Sequence, residues 1–248
     1  MSYGFTFDGI HCSTFGVGMK SKKRPFLPAT VDRLETIPSR PGAYDFGAEL
    51  GPRYFELECG VLESSIPALR DKLRLIAQWL NPLKGAKPLV FDDEPDKTYY
   101  ARYSGQIGLD QLARSARFTI PFICADPFAY GVEVFTNKDM AVGNSTMLIT
   151  NDGTYAAPIE ITIVGRSNTV NPTVILGTKN IKYMGTIPQD ESVVIDTGKM
   201  TASKAGENVL NLISGTFLTL APGENIISYA DEGVNSALVT VKHKGRWL

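Results

Sequence analysis

Histidine is scarce: the 248 residues hold two, His11 and His243, near opposite ends of the chain. A Ser–His–Asp or Cys–His catalytic site must use one of them. Neither HExxH nor GxSxG occurs. His11 adjoins Cys12, and adjacent side chains on a strand point to opposite faces, which sets that pair aside. Cysteine is nearly as rare. Cys12, Cys59 and Cys124 are odd in number, far apart and free of any CxxC pair, so neither a zinc site nor a disulfide framework is signalled. Such cysteines predict buried small hydrophobes in a reducing compartment. An excess of one charge is missing too. Lys+Arg number 25 and Asp+Glu 26, a formal net charge of -1. Residues 1–131 carry 16 and 15 of these, and residues 132–248 carry 9 and 11, so neither part is a basic nucleic-acid module. No apolar run approaches the roughly 18 residues that span a membrane. The start, MSYGFTFDGI, lacks the basic and apolar segments of a signal peptide. Synthesis and folding in the cytosol, no membrane insertion, no catalytic residues, no metal and no cofactor are the expectations.

What is present is mostly period two. In RYFELEC, Tyr54, Glu56 and Glu58 oppose Phe55, Leu57 and Cys59, which suits a strand wet on one face. In ARFTIPFIC, Phe118, Ile120 and Phe122 share a face. TVDRLETI, 30–37, alternates more roughly, and the small residues around Gly16–Ser21 suit a strand better than a phosphate loop. Turn signals separate these runs at Asp8-Gly9, Arg40-Pro41-Gly42, Asn151-Asp152-Gly153 and Pro222-Gly223. One helix interrupts the pattern. Ser65 can cap it and Pro67 fits its first turn. Leu69, Leu73, Ile76 and Leu80 recur at helical spacing, with Leu75 and Trp79 widening the apolar arc, before Pro82 and Gly85 end the segment. From about residue 132 charges thin out. Nine short runs follow (MLIT, PIEITIV, TVIL, NIKYM, SVVID, NVLNLI, TFLTL, NIISYA, ALVTVKH), which read as an antiparallel sandwich. The texture places a domain boundary in the stretch after Asp126-Pro127, giving units 1–131 and 132–248.

Two charge clusters invite a functional reading. Asp92, Asp93, Glu94 and Asp96 offer oxygen ligands, but lack the spacing and central glycine of a calcium loop, and read as a solvated hairpin turn. Lys20, Lys22, Lys23 and Arg24 form the one basic run. Without interleaved aromatics it reads as a flexible solvated loop, available to a subunit contact. In the second unit Tyr155, Tyr183, Phe217, Tyr229 and Trp247 are the side chains on which a sugar could stack, with a core role as the default for each.

Seven segments in order carry a family likeness: FTFDGIHCSTFGVGM, IPSRPGAYDFG, the helix ending QWLNPLKG, LVFDDEPDKTYYARY, FTIPFICADPFAY, ITNDGTYAAPIEI and FLTLAPGENIISY. In this the chain resembles the distal tail proteins, the hubs at the tail tips of long-tailed bacteriophages. The resemblance implies a mainly β fold: an N-terminal β-sandwich or split barrel with one α-helix, then a C-terminal galectin-like antiparallel β-sandwich. It implies a virion structural protein at the tail tip, made in the host cytoplasm, whose N-terminal domains close into a hexameric ring. It further implies a tail tube protein, a tail-associated tip protein and a receptor-binding protein as partners, with DNA only in passage through a lumen of no net positive charge. Some relatives carry long C-terminal-domain insertions that hold receptor-binding proteins; this chain has none, which favours a simple tip. The turn-rich segments Lys20–Thr30, Ser39–Leu50 and Asp92–Tyr100 are the expected subunit interface. Lys22, Lys23, Arg24, Arg40, Tyr44, Asp92, Asp93 and Glu94 are its candidate residues, the basic run either pointing away from the lumen or meeting the acidic turn, Asp92–Asp96, of a neighbouring copy. A carbohydrate-binding module or host-adhesion β-sandwich protein, and a cell-wall hydrolase, are the alternatives from other classes.

Overall fold

The segment that breaks the period-two pattern folds as its residues dictate. Helix α1 spans Ile66–Trp79, and Ser65 Oγ accepts the Ala68 N–H at 3.3 Å, satisfying one of the orphan donors of the first turn. Leu69, Ile76, Trp79 and Leu80 are buried, whereas Leu75, expected on the apolar arc, is 48% exposed. The computed structural model describes residues 4–142, 144–233 and 236–248. Chain contacts divide them into one unit ending at Tyr130 and another spanning Gly131–Trp247.

The first unit pairs β1 (Phe5–Phe7), β2 (Ile10–His11), β3 (Val17–Lys23), β4 (Thr30–Glu35), β5 (Tyr44–Leu50), β6 (Arg53–Leu62), β7 (Lys87–Phe91), β8 (Glu94–Tyr103), β9 (Leu109–Leu112) and β10 (Ser115–Cys124). The order β2–β1–β7–β8 makes one sheet and β3–β6–β10–β9 another, joined where β10 also pairs with β8. β6 and β10 run antiparallel in unbroken register from Ser115 opposite Leu62 to Cys124 opposite Arg53. That register puts Phe55, Leu57, Phe118, Ile120 and Phe122 on the buried face and Glu56, Glu58 and Arg117 on the other. Trp79 closes the core. It stacks on Phe5 and Phe15, with centroids 5.7 and 4.8 Å away, and its indole N–H donates to the Phe7 carbonyl at 2.9 Å. The Lys20–Lys23 run belongs to strand β3, not to a flexible loop; its lysines and a bulge between Met19 and Ser21 protect an edge strand.

The second unit is an antiparallel sandwich. One layer holds Ala237–Trp247, Ala157–Gly165, Ser192–Asp196 and Thr201–Lys204. The other holds Thr146–Asn151, Gly223–Ala230, Thr173–Leu176, Lys179–Tyr183 and Ile213–Gly215. Ile161 pairs with Val241 on one side and Ile195 on the other, facing a core that includes Ile149, Val174 and Ile227. Two expected strands are absent as such. NVLNLI is mainly the short 3-10 turn Leu210–Leu212, and only Thr219–Leu220 of TFLTL is paired. Among the described residues the strand Thr146–Asn151 pairs only with Gly223–Ala230, and side chains cap its other edge. Lys138 Nζ donates to the Thr146 carbonyl at 2.7 Å, and His243 Nε2 donates to the Thr150 carbonyl at 3.2 Å. His243 is 4% exposed, and its Nδ1 has no partner. Burial therefore pushes its pKa below the ordinary 6.5, against the weaker opposing pull of the Thr150 carbonyl and Asp152.

Trp79→Ala removes a buried aromatic, its stacking and one hydrogen bond, and should cost ~3–5 kcal/mol in denaturant titrations; a loss under about 1 kcal/mol would contradict this packing. As pH falls below 6.5 the unfolded chain binds a proton at residue 243 before the folded chain does, so stability drops as pH falls. Melting temperatures measured from pH 7 to pH 5 should fall more steeply for the parent than for His243→Asn. Parallel curves would show that His243 titrates alike in both states.

Candidate subunit-contact surfaces

The cysteines offer no nucleophile. All three are buried; burial raises the Cys12 thiol and pushes Cys59 and Cys124 up to about 12, so they stay protonated at neutral pH. His11 does meet a serine and a carboxylate. Its Nδ1 lies 2.6 Å from Ser13 Oγ and its Nε2 lies 3.3 Å from Asp92 Oδ2, a residue 81 positions away. The grouping is a cap: the same Nδ1 accepts the Ser13 backbone N–H at 3.3 Å and closes the 3-10 turn Cys12–Phe15. A Cβ on Gly4 would lie 2.6 Å from His11 Nε2, so glycine is what admits the ring. Among the described residues no three His, Cys, Asp or Glu side chains group as metal ligands, and no helix is long and apolar enough to cross a membrane.

The basic run and the acidic turn meet within one chain. Lys22 Nζ bonds the Asp93 carboxylate, and Arg24 Nη2 lies 2.7 Å from Glu94 Oε2. Both cations sit over the Phe91 ring, at 5.4 and 5.0 Å from its centroid. Partial burial works to raise Asp93, but Lys22 and Arg24 overcome it and hold the carboxyl below its ordinary range. Lys23 Nζ bonds Glu56 Oε2 on the neighbouring strand at 3.0 Å. The pairing assigned to two copies is thus made inside the first unit. Six of the eight expected interface residues, namely Lys22, Lys23, Arg24, Asp92, Asp93 and Glu94, have partners in their own chain.

Arg40 and Tyr44 lie elsewhere. They belong to the hairpin β4–β5, an arm in which every residue from 29 to 50 is exposed. Its base is closed: the Gly51 N–H donates to the Ala29 carbonyl at 2.7 Å, and Pro28 and Gly51 are buried. Beyond the base, among the described residues, β4 and β5 pair only with each other. Thr30, Asp32 and Leu34 share one face, with Leu50, Ala48 and Asp45 opposite; Val31 and Glu35, opposite Glu49 and Tyr44, share the other. A bulge at Gly47, φ +92°, lets β5 carry its extra residue. Large apolar side chains therefore stand on both faces, with Val31 55%, Leu34 60% and Phe46 67% exposed. Arg33 bonds Glu49, and the Arg40 guanidinium lies 4.3 Å over the Tyr44 ring.

Two recesses stand out among the described residues of the first unit. One, about 850 Å³, is an open polar cleft on the outer face of the β3–β6–β10–β9 sheet, lined by Lys20, Glu56, Glu58, Asp110 and Arg117. The other, about 370 Å³, is an apolar groove between α1 and the segment 103–118, lined by Leu73, Ile76, Leu80, Ile107, Leu109 and Phe118 among others. In the second unit Tyr183 and Tyr229 are buried in the core, Phe217 packs against it, and Trp247 is half-buried; Tyr155, 41% exposed, lies under the Arg246 guanidinium.

Comparison with known proteins follows this division. Residues 10–124 match the family model of the phage tail protein RIFT-related domain, and residues 152–247 match that of the siphovirus-type tail component, C-terminal domain. The distal tail protein of Bacillus phage SPP1 is 28% identical over 149 residues, a match that spans 56% of this chain and 56% of that protein. Among solved structures, the SPP1 Dit protein, described as a paradigm of the hub adsorption apparatus in phages infecting Gram-positive hosts, superposes with a TM-score of 0.85 at 19% identity, covering 100% of both chains. A chain of the phage P2 baseplate in its activated, calcium-containing conformation gives a TM-score of 0.52 at 10% identity, over 99% of this chain and 98% of that one. At these identities the structures establish the fold.

The intrachain pairing has a measurable consequence. A double-mutant cycle on Lys22→Ala and Asp93→Ala, followed by denaturant unfolding, should give a coupling of about 0.5–1 kcal/mol, since both groups are partly solvated. Strictly additive losses would mean that the two charges do not meet in solution.

Proposed function

We propose, for a chain that belongs to the siphovirus distal tail proteins, that it is a structural subunit of the phage tail hub whose copies close into a hexameric ring at the distal end of the virion tail. In this reading the ring joins the tail tube protein to a tail-associated tip protein and lets DNA pass without holding it. A receptor-binding protein is a further partner, reached without the long C-terminal-domain insertions that hold it in some relatives. The chain is made in the host cytoplasm and does no chemistry. The observation that supports the reading most directly is the arm 29–50. A two-stranded hairpin has no third layer to bury its own side chains, and this one presents apolar residues on both faces. A closed ring of heterologous contacts supplies the missing cover, because each copy offers its arm to the next and receives one in turn. The near balance of charge, 16 basic against 15 acidic residues in 1–131, favours a channel that does not grip phosphates. A sugar-binding reading draws little support, since most of the aromatics it would stack on are buried or half-buried.

Native mass spectrometry with light scattering should find six copies, or a multiple of six, of the 27.0 kDa chain, alone or with tube and tip proteins present. Thr30 and Leu50 are paired, so residues 31–49 can be replaced by a two-residue turn without disturbing the base. That variant should melt like the parent and remain monomeric. A strict monomer for the parent under every condition would refute the ring, and a ring formed equally well without the arm would refute the arm's part in closing it.

A further inference from the structure

The arm needs a seat, and the first unit carries one that its own arm does not fill. Resting on the reading of the chain as a ring subunit, we infer that the apolar groove between α1 and the segment 103–118 receives the arm of a second copy of this chain. Two features match. The groove is apolar, with Ile76, Leu80 and Phe118 at its floor and Leu109, 43% exposed, at its lip. The arm supplies what such a groove excludes water with, in Leu34 and Leu50 on one face and Val31 and Tyr44 on the other. The second match is charge. Residues 29–50 hold Arg33 and Arg40 against Asp32, Glu35, Asp45 and Glu49, a net of -2. Arg33 is taken by Glu49, which leaves Asp32, Glu35 and Asp45 without a cation in their own chain among the described residues. Residues 66–86, which form one wall of the groove, hold Arg70, Lys72, Arg74 and Lys84 against Asp71, a net of +3. Lys72 is paired with Glu63 and Arg74 with Asp71, whereas Arg70 and Lys84 make no ion pair among the described residues. Arg70 stands three residues before Leu73 and seven before Ala77, on the helical stripe that lines the groove, and Lys84 follows Pro82 at its far end. Free cations thus flank the apolar floor at both ends, and free carboxylates flank the apolar positions of the arm. The unfilled groove and the uncovered arm belong to different surfaces of one copy, which is the condition for a head-to-tail contact.

Three buried native thiols leave introduced surface cysteines free to report the contact. In the full-length chain, Leu34→Cys or Phe46→Cys on the arm is combined with Ala77→Cys or Leu109→Cys at the groove and oxidised under assembling conditions. A ladder of covalent dimers through hexamers is expected from at least one pair, and no ladder from any single variant. Separately, Ala77→Glu, at an exposed helix position, places a carboxylate against the acidic arm. It should leave the melting temperature within about 2 °C of the parent, as surface changes generally do, and weaken assembly by roughly tenfold or more, the effect of a few lost or repelled charge contacts. If the parent forms rings, Ala77→Glu forms them equally well and no pair yields an intermolecular bond, the groove is not the seat and the ring reading stands. Bonds formed only within single chains would likewise rule out the groove as the seat. A parent that never assembles removes both the seat and the ring.

Discussion

A two-stranded ribbon cannot cover itself. Each of its faces needs another layer, and the arm 29–50 has none among the described residues of its own chain. Fully burying one large aliphatic or aromatic side chain is worth about 1.5–3 kcal/mol. Val31, Leu34, Ile37, Tyr44, Phe46 and Leu50 all stand at least 38% exposed. Covering even half of that set offsets a large share of the roughly 4–15 kcal/mol that association costs in lost rotation and translation. In a closed ring each added copy contributes one contact and the last contributes two, so closure adds an interface with no further loss of freedom. The same exposed ribbon on a monomer would be an aggregation hazard, which makes the arm a liability to a protein that works alone and useful to one that does not.

In the proposed ring, electrostatics would decide which surface the arm meets. Charges already satisfied inside the chain do not discriminate between partners. Lys22, Lys23 and Arg24 lie on β3 or directly follow it, against Asp93, Glu56 and Glu94, and their role is to pin the acidic turn over Phe91 and to blunt an exposed strand edge. What remains unpaired is informative: acids on the arm, bases along one wall of the apolar groove. Such rim charges contribute more to orientation and encounter rate than to affinity, so in the proposed seat the apolar floor would supply the binding and the charges the register.

Local patterns in the sequence carry much of this fold. Ser65, Pro67 and the Leu69–Ile76 spacing mark the helix within a residue or two, because capping and period are properties of neighbours. The alternations in RYFELEC and ARFTIPFIC give the buried faces of β6 and β10 correctly. Information carried by distant contacts was not legible. Lys22 and Asp93 are 71 residues apart and His11 and Asp92 are 81 apart, so no spacing rule joins them. The rough alternation in TVDRLETI reads as a strand and no more, since period two reports two faces and not whether either is covered. Leu75 illustrates the same gap in a helix: it sits on the flank of the apolar arc, and only the packing of α1 decides on which side of the boundary it falls. NVLNLI has strand-like composition, but Asn208 Oδ1 accepts the Leu210 N–H at 2.9 Å and tightens the chain into a turn.

The two scarce histidines are both committed to structure. A catalytic imidazole must be free to gain and lose a proton at an atom that faces substrate. His243 directs its Nε2 proton to an edge carbonyl and keeps Nδ1 in the core, where protonation has no acceptor to meet it. His11 directs Nδ1 to the backbone and hydroxyl of Ser13, closing a turn that seats Phe15 against Trp79. Both rings hold backbone in place, one at a sheet edge and one at the mouth of the aromatic core. The imidazoles, the side chains best suited to proton transfer near neutral pH, therefore serve backbone geometry, while among the described residues unpaired charges and exposed apolar groups lie on the arm and along the groove.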